Sequence, residues 1–165
     1  MILFLDFDGV LHPEKDAFFQ RDLLTRLPLV EDVLREFPHV EIVISSAWRL
    51  SWKDEDVAVS RLRKHFSNDI AARVVGVTPH FINLDPKAAI DGVQYYERHW
   101  ECDAWMRSNR PAGTPWMALD DRAYWFRPLC PNLMELQADV AFTAGHVAEF
   151  RRRLEALGTP EGGST

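Results

Sequence analysis

Short runs dominated by apolar residues recur along the chain at Ile2–Leu5, Val40–Ile44, Arg73–Val77 and Trp116–Leu119. Each is continuous rather than alternating, the pattern of a strand buried on both faces. The segments between them carry apolar residues at helical spacing. Leu23, Leu24, Leu27, Val30, Val33, Leu34 and Phe37 form a stripe that predicts a helix over Asp22–Phe37, stopped by Pro38. Glu55–Phe66 and Gln94–Ser108 read as two more helices, the second closed by Asn109-Arg110-Pro111. A weaker strand signal lies near Leu133–Leu136. Thr143 is placed to cap a last helix over Ala144–Leu157, with basic residues toward its C-terminal half as the helix dipole prefers. Gly158–Thr165 reads as a disordered tail, leaving residues 1–157 as one domain. Buried strands alternating with helices predict an α/β fold, a Rossmann-like three-layer sandwich with a central parallel sheet.

The polar residues that interrupt this pattern fall at one kind of place. Asp6 and Asp8 follow the first strand, Ser45 and Ser46 the second, and Asp120 and Asp121 the fourth. In open α/β sheets, ligands bind beyond the carboxyl ends of the strands, so these side chains are expected to meet in one crevice. Clustered carboxylates raise one another's pKa and are costly to bury unless a cation takes up the charge. Mg²⁺ suits a few carboxylates together with water and a phosphate. Asp6 is then a candidate nucleophile toward phosphorus, forming an aspartyl-phosphate. Asp8, on the same side of an extended chain, is placed to protonate the leaving oxygen and later to deprotonate water. Gly9 allows the tight turn that brings both round the metal. The Ser45 hydroxyl is a donor for phosphoryl oxygens, and Arg49, Lys87 and Arg98 are the candidates for the cation that must accompany it.

Composition narrows the classes. At 165 residues the chain is one domain's length, and its net charge of −6 argues against a protein that grips nucleic acid over its whole surface. The apolar N-terminus is interrupted by Asp6 and Asp8 with no basic residue before it, unlike a signal peptide. No apolar run reaches the ~18 residues of a membrane span. Cys102 and Cys130 lack metal-type spacing and read as reduced thiols of a cytoplasmic protein. The histidines include no HxH and no i, i+4 pair, which disfavours a transition-metal site. Tyr124-Trp125-Phe126 reads as packing against the last helix, with base stacking as the alternative.

Taken together, FLDFDGVL, then VEIVISSAWR, then a basic residue, then WMALDDR resemble the four motifs of the haloacid dehalogenase (HAD) superfamily, in order and spacing, across about Met1–Arg122. More narrowly, FLDFDGVLHP…ISSAWR…ERHWECDAWM…ALDDR is similar to the small HAD domains of bacterial Swiss Army Knife RNA-repair proteins. The resemblance implies Asp6 as nucleophile, Asp8 as general acid/base and Ser45 as the phosphate-binding hydroxyl, with Ser46 as fallback. It implies Mg²⁺ held by Asp6, the backbone carbonyl of Asp8, Asp120 and Asp121. It favours Arg98 as the cation, where Lys is commoner in the family; Lys87 is the alternative. Ser46, Gly9 and Arg49 are candidate substrate contacts, although for Arg49, as for His12, a structural role is the better reading. Only about 36 residues separate Asp8 from Ser45, which implies an open site without a cap domain. The expected partner is a phosphorylated substrate, on the narrower resemblance a nucleic-acid or nucleotide phosphate end; oligomeric state stays open. The alternatives are a catalytically inactive HAD-fold binding module and a phospho-accepting receiver-like signalling domain. The latter is disfavoured because its paired acids come early in the chain, whereas here they come last.

Overall fold

The computed structural model describes residues 1–80 and 96–158. The apolar runs become β1 (Ile2–Leu5), β2 (Glu41–Ile44), β3 (Val74–Val77), β4 (Trp116–Asp120) and β5 (Leu133–Glu135). All pair in parallel, in the order β3-β2-β1-β4-β5. A receiver-type sheet has the order 2-1-3-4-5, so the topology separates this chain from that alternative. The continuous hydrophobicity of the central strands has a direct cause. On one face, Leu3, Leu5, Ile42, Ile44, Met117 and Leu119 join one core cluster. On the other, Ile2, Phe4, Val43 and Ala118 join a second with Cys102, Trp105 and Phe126. Burying each such aliphatic or aromatic side chain contributes about 1.5–3 kcal/mol, so polar residues are confined to the strand ends, Glu41 at the start of β2 and Asp120 at the end of β4.

The helices are α1 (Glu14–Phe19), α2 (Leu27–Glu36), α3 (Glu55–Leu62), α4 (Asn68–Ala71), α5 (Glu97–Asn109) and α6 (Val147–Gly158). Side chains of α2, α3 and α6, among them Val30, Leu34, Leu62, Phe150 and Leu154, cover the first sheet face. Cys102 and Trp105 of α5 cover the second.

Several expected boundaries move. The helix expected over Asp22–Phe37 begins only at Leu27, because Asp22 (φ 50°) and Leu24 (φ 60°) adopt left-handed backbone that breaks the helix before Pro28. Glu55–Phe66 is α-helical to Leu62 and continues as a 3₁₀ turn over Arg63–His65. Thr143 precedes a 3₁₀ turn, Ala144–His146, and donates its N–H to His146 Nδ1, so α6 starts at Val147 and takes in Gly158. Helix α1, which buries none of its residues and so left no periodic signal, and the single-turn α4 were not foreseen. The first residues of the Gln94–Ser108 helix, Lys87, and the tail beyond Gly158 lie outside the described residues.

Candidate active site

Strand register decides which side chains meet. Leu5 is opposite both Ile44 and Leu119. The residues that follow continue this pairing: Asp6 N–H donates to Leu119 O (3.1 Å), Ser45 N–H to Leu5 O (3.0 Å) and Thr78 N–H to Ile44 O (3.0 Å). Asp6, Ser45 and Thr78 therefore stand in a row at the carboxyl edge of the sheet, with Asp120 at the end of β4 beside Asp6. The chain reverses its direction of winding between β1 and β4, which is the switch point where α/β sheets open a crevice.

Ligand oxygens of Asp6, Asp120 and Asp121 lie within 4.8 Å of one another. Asp6 Oδ1 accepts the Phe7 N–H at 2.8 Å, and Asp120 Oδ1 accepts the Arg122 N–H at 2.8 Å. Oδ1 of Asp121 is buried and has no hydrogen-bond partner among the described residues. Gly9 has φ 74°, and a Cβ there would stand 2.6 Å from Asp121 Cγ and Oδ2, so glycine is required where the first loop crosses the acidic pair. Burial, then the Asp6 charge, pushes Asp120 up to about 7 despite Arg98 nearby. The same two causes push Asp121 up to about 6. Carboxylates so placed bind protons or a hard cation in preference to remaining bare, and a buried Asp121 oxygen with no partner among the described residues fits a metal ligand.

Arg98, on α5, reaches into this cluster. Its Nη1 lies 2.9 Å from Asp120 Oδ2 and 3.4 Å from Asp6 Oδ2, while Nε is 3.5 Å from Glu101 Oε2. Burial opposes its charge, but Asp6, Asp120 and Glu101 outweigh burial and hold the guanidinium protonated. Trp125 covers it, with the guanidinium carbon 5.2 Å from the ring centroid. Trp125 thus roofs the site, Phe126 enters the core, and Tyr124 is exposed, rather than the three packing together on the last helix.

Of the two readings open for Arg49, substrate contact and structural role, the hydrogen bonds give the structural one. Its N–H groups donate to the carbonyls of Thr78, Ser45, Ser46 and Pro79 and to Glu101 Oε2 (2.8 Å), which occupies all the donors a guanidinium has. It pins the ends of β2 and β3 to α5. Ser46, the fallback phosphate contact, is fully buried and accepts the Trp48 N–H at 3.4 Å, capping the 3₁₀ turn Ala47–Ser51. Ser45 is 1% exposed and its hydroxyl has no hydrogen-bond partner among the described residues, which leaves it to donate to a ligand. His80, Glu97 and Glu101 form a second group of clustered ligand atoms, but Glu101 there already lies between Arg49 and Arg98.

Asp8 stands apart from the acidic trio. Its Oδ1 lies 3.0 Å from His12 Nε2 and 2.9 Å from Trp48 Nε1, and the side chain is one-third exposed. It lines a cleft of about 590 Å³ with Lys15, Phe18, Trp48 and Arg122. Arg122 bonds to Glu14 and lies 3.3 Å from Asp121 Oδ2. Trp48 and Arg122 were missed in the sequence; the only signal was their adjacency to motif residues, in SSAWR and LDDR.

A parallel sheet whose switch point gathers an aspartate from its first strand and an acidic pair from its fourth defines a HAD-type, Rossmann-like domain. Residues 2–147 match the family of HAD domains in Swiss Army Knife RNA repair proteins, and the chain belongs to that family. Comparisons with curated proteins and with solved structures gave no match. Among the described residues, no helix is long and apolar enough to cross a membrane.

Proposed function

We propose that this HAD domain is a Mg²⁺-dependent phosphomonoesterase working through an aspartyl-phosphate on Asp6. The observation that carries the proposal is the convergence of the Asp6, Asp120 and Asp121 oxygens within 4.8 Å at the switch point, next to a cleft that Asp8 faces. Asp6, Asp120, Asp121 and the backbone carbonyl of Asp8 would hold the cation. When bound, it neutralises the carboxylates and the phosphoryl oxygens. A carboxylate oxygen of Asp6 attacks phosphorus as the bond to the ester oxygen breaks, and Asp8 gives its proton to that oxygen. Asp8 then takes a proton from water, whose oxygen attacks phosphorus. The bond to Asp6 breaks, and inorganic phosphate leaves. The Ser45 hydroxyl donates to a phosphoryl oxygen and Arg98 supplies the fixed positive charge. The Gly9 backbone lets the loop close against the phosphate.

The substrate we favour is a phosphorylated nucleic-acid or nucleotide end, since the family is named for RNA repair proteins. Exposed Phe18 in the cleft wall, and exposed Tyr124, whose hydroxyl accepts from the cleft residue Arg122 at 2.9 Å, suit a base next to the phosphate. A cytoplasmic setting belongs to the same proposal, with Cys102 and Cys130 both free.

The test is phosphate release from p-nitrophenyl phosphate and from 3′- and 5′-phosphorylated oligonucleotides. It is run with Mg²⁺ and with EDTA, for the wild type and for Asp6→Asn. Turnover lost in EDTA and in Asp6→Asn is expected. Turnover that persists in either condition would sink the proposal.

A further inference from the structure

We infer that His12 and Trp48 are positioning residues for Asp8, clamping its Oδ1 so that Oδ2 alone exchanges protons with substrate. This rests on the reading of Asp8 as general acid/base. His12 is fully buried, and its two ring nitrogens face different partners. The Leu24 backbone N–H donates to Nδ1 at 3.3 Å. A backbone N–H can only donate, so Nδ1 is the bare nitrogen and the ring's proton sits on Nε2. Nε2 therefore donates to Asp8 Oδ1 at 3.0 Å. The Trp48 indole, which can only donate, does so to the same oxygen at 2.9 Å. Oδ1 is doubly occupied, whereas Oδ2 accepts no hydrogen bond from the described residues and Asp8 lines the cleft.

Each arm of the clamp is itself built. Leu24 presents its amide to His12 from a left-handed conformation that a leucine adopts only at a cost. This is also where the expected helix breaks. Trp48 packs edge-on against Phe7 (5.3 Å between ring centroids) and His65 (5.6 Å), and its turn is capped by Ser46. A carboxylate free to rotate would spend much of its time off the line to the leaving oxygen. A fixed one meets it ready, and misplacement by about 1 Å can cost roughly a hundredfold in rate.

The role predicts a dependence on the leaving group that a purely structural role does not. p-Nitrophenolate departs without needing a proton, whereas a sugar alkoxide needs one. Trp48→Phe keeps an aromatic ring in the packing and removes the indole N–H, so it is the principal variant. His12→Phe and His12→Gln are compared with it, the glutamine restoring an N–H donor. Steady-state kinetics on p-nitrophenyl phosphate and on a 3′- or 5′-phosphorylated oligonucleotide are paired with thermal melts to show folding. Trp48→Phe and His12→Phe should lower kcat/KM on the oligonucleotide, which reports only the steps through departure of the leaving group, about ten- to hundredfold, a part of the roughly 10²–10⁴-fold that general-acid catalysis supplies. For p-nitrophenyl phosphate, kcat/KM should change little, and His12→Gln should recover most of the loss. An equal fall in kcat/KM for both esters, or no fall for either, in folded variants overturns the clamp. Wild-type turnover that does not require Asp6 overturns the hydrolase reading itself, and the clamp with it.

Discussion

At the scale of single residues, the site is made by close approaches that permit few replacements. Gly9 is the clearest. Its positive φ and the 2.6 Å that would separate a Cβ at this position from the Asp121 carboxylate act together, so Gly9→Ala forces either the loop or the acidic side chain to move. A loss of about 1–3 kcal/mol in urea unfolding is expected, with weaker Mg²⁺ binding by calorimetry. Unchanged Mg²⁺ affinity would mean that Asp121 does not serve the metal. The aspartates were legible in the sequence because carboxylates at the ends of wholly apolar strands have no structural reason to be there. The roles of Ser46 and Arg49 stayed open in the sequence, because whether a hydroxyl or guanidinium meets ligand or backbone depends on where a distant carbonyl lies.

At the scale of elements, α5 does two jobs with one face. Arg98 projects toward the aspartates, and Glu101, one turn on, holds Arg49 from the loop after β2. The side chains of Glu101 and Arg49 are 2% and 3% exposed. Removing one partner of so buried a pair leaves the other charge uncompensated, and Glu101→Gln should cost roughly 3–5 kcal/mol in urea denaturation. A cost below about 1 kcal/mol, the range of a surface pair, would contradict the tie between helix and sheet. The strands were readable because burial on both faces leaves a pattern in the sequence. Helix α1 was not, since it buries none of its residues. The true start of α2 was hidden because the apolar stripe runs on through Leu23 and Leu24, where the chain turns to serve His12.

At the scale of the whole molecule, the acidic cluster ties stability to pH and metal. Asp120 and Asp121, raised from 3.8 to about 7 and about 6, favour the protonated form in the folded metal-free protein. The unfolded chain releases those protons at lower pH. The stability they contribute is therefore full below about pH 4 and is lost as pH rises through about 6 to 7. A divalent cation binds the ionised form, so the rise in Tm produced by Mg²⁺ should be small near about pH 5 and larger near about pH 8. Thermal melts across that range, with Mg²⁺ and with EDTA, measure it. A Mg²⁺ effect independent of pH would show that these carboxylates do not hold the ion.

The sequence by itself determined the α/β class, the central parallel strands and the carboxylates at their ends. Each of these follows from local patterning: period, burial on both faces, and the cost of an acid in apolar surroundings. Tertiary structure alone decided the strand order, which sets Asp6 beside Asp120. It also decided the commitment of Arg49 to backbone carbonyls, and the meeting of His12, Leu24, Trp48 and Asp8. Those contacts join residues brought together by sheet register and by a left-handed turn, and neither leaves a periodic trace in the chain.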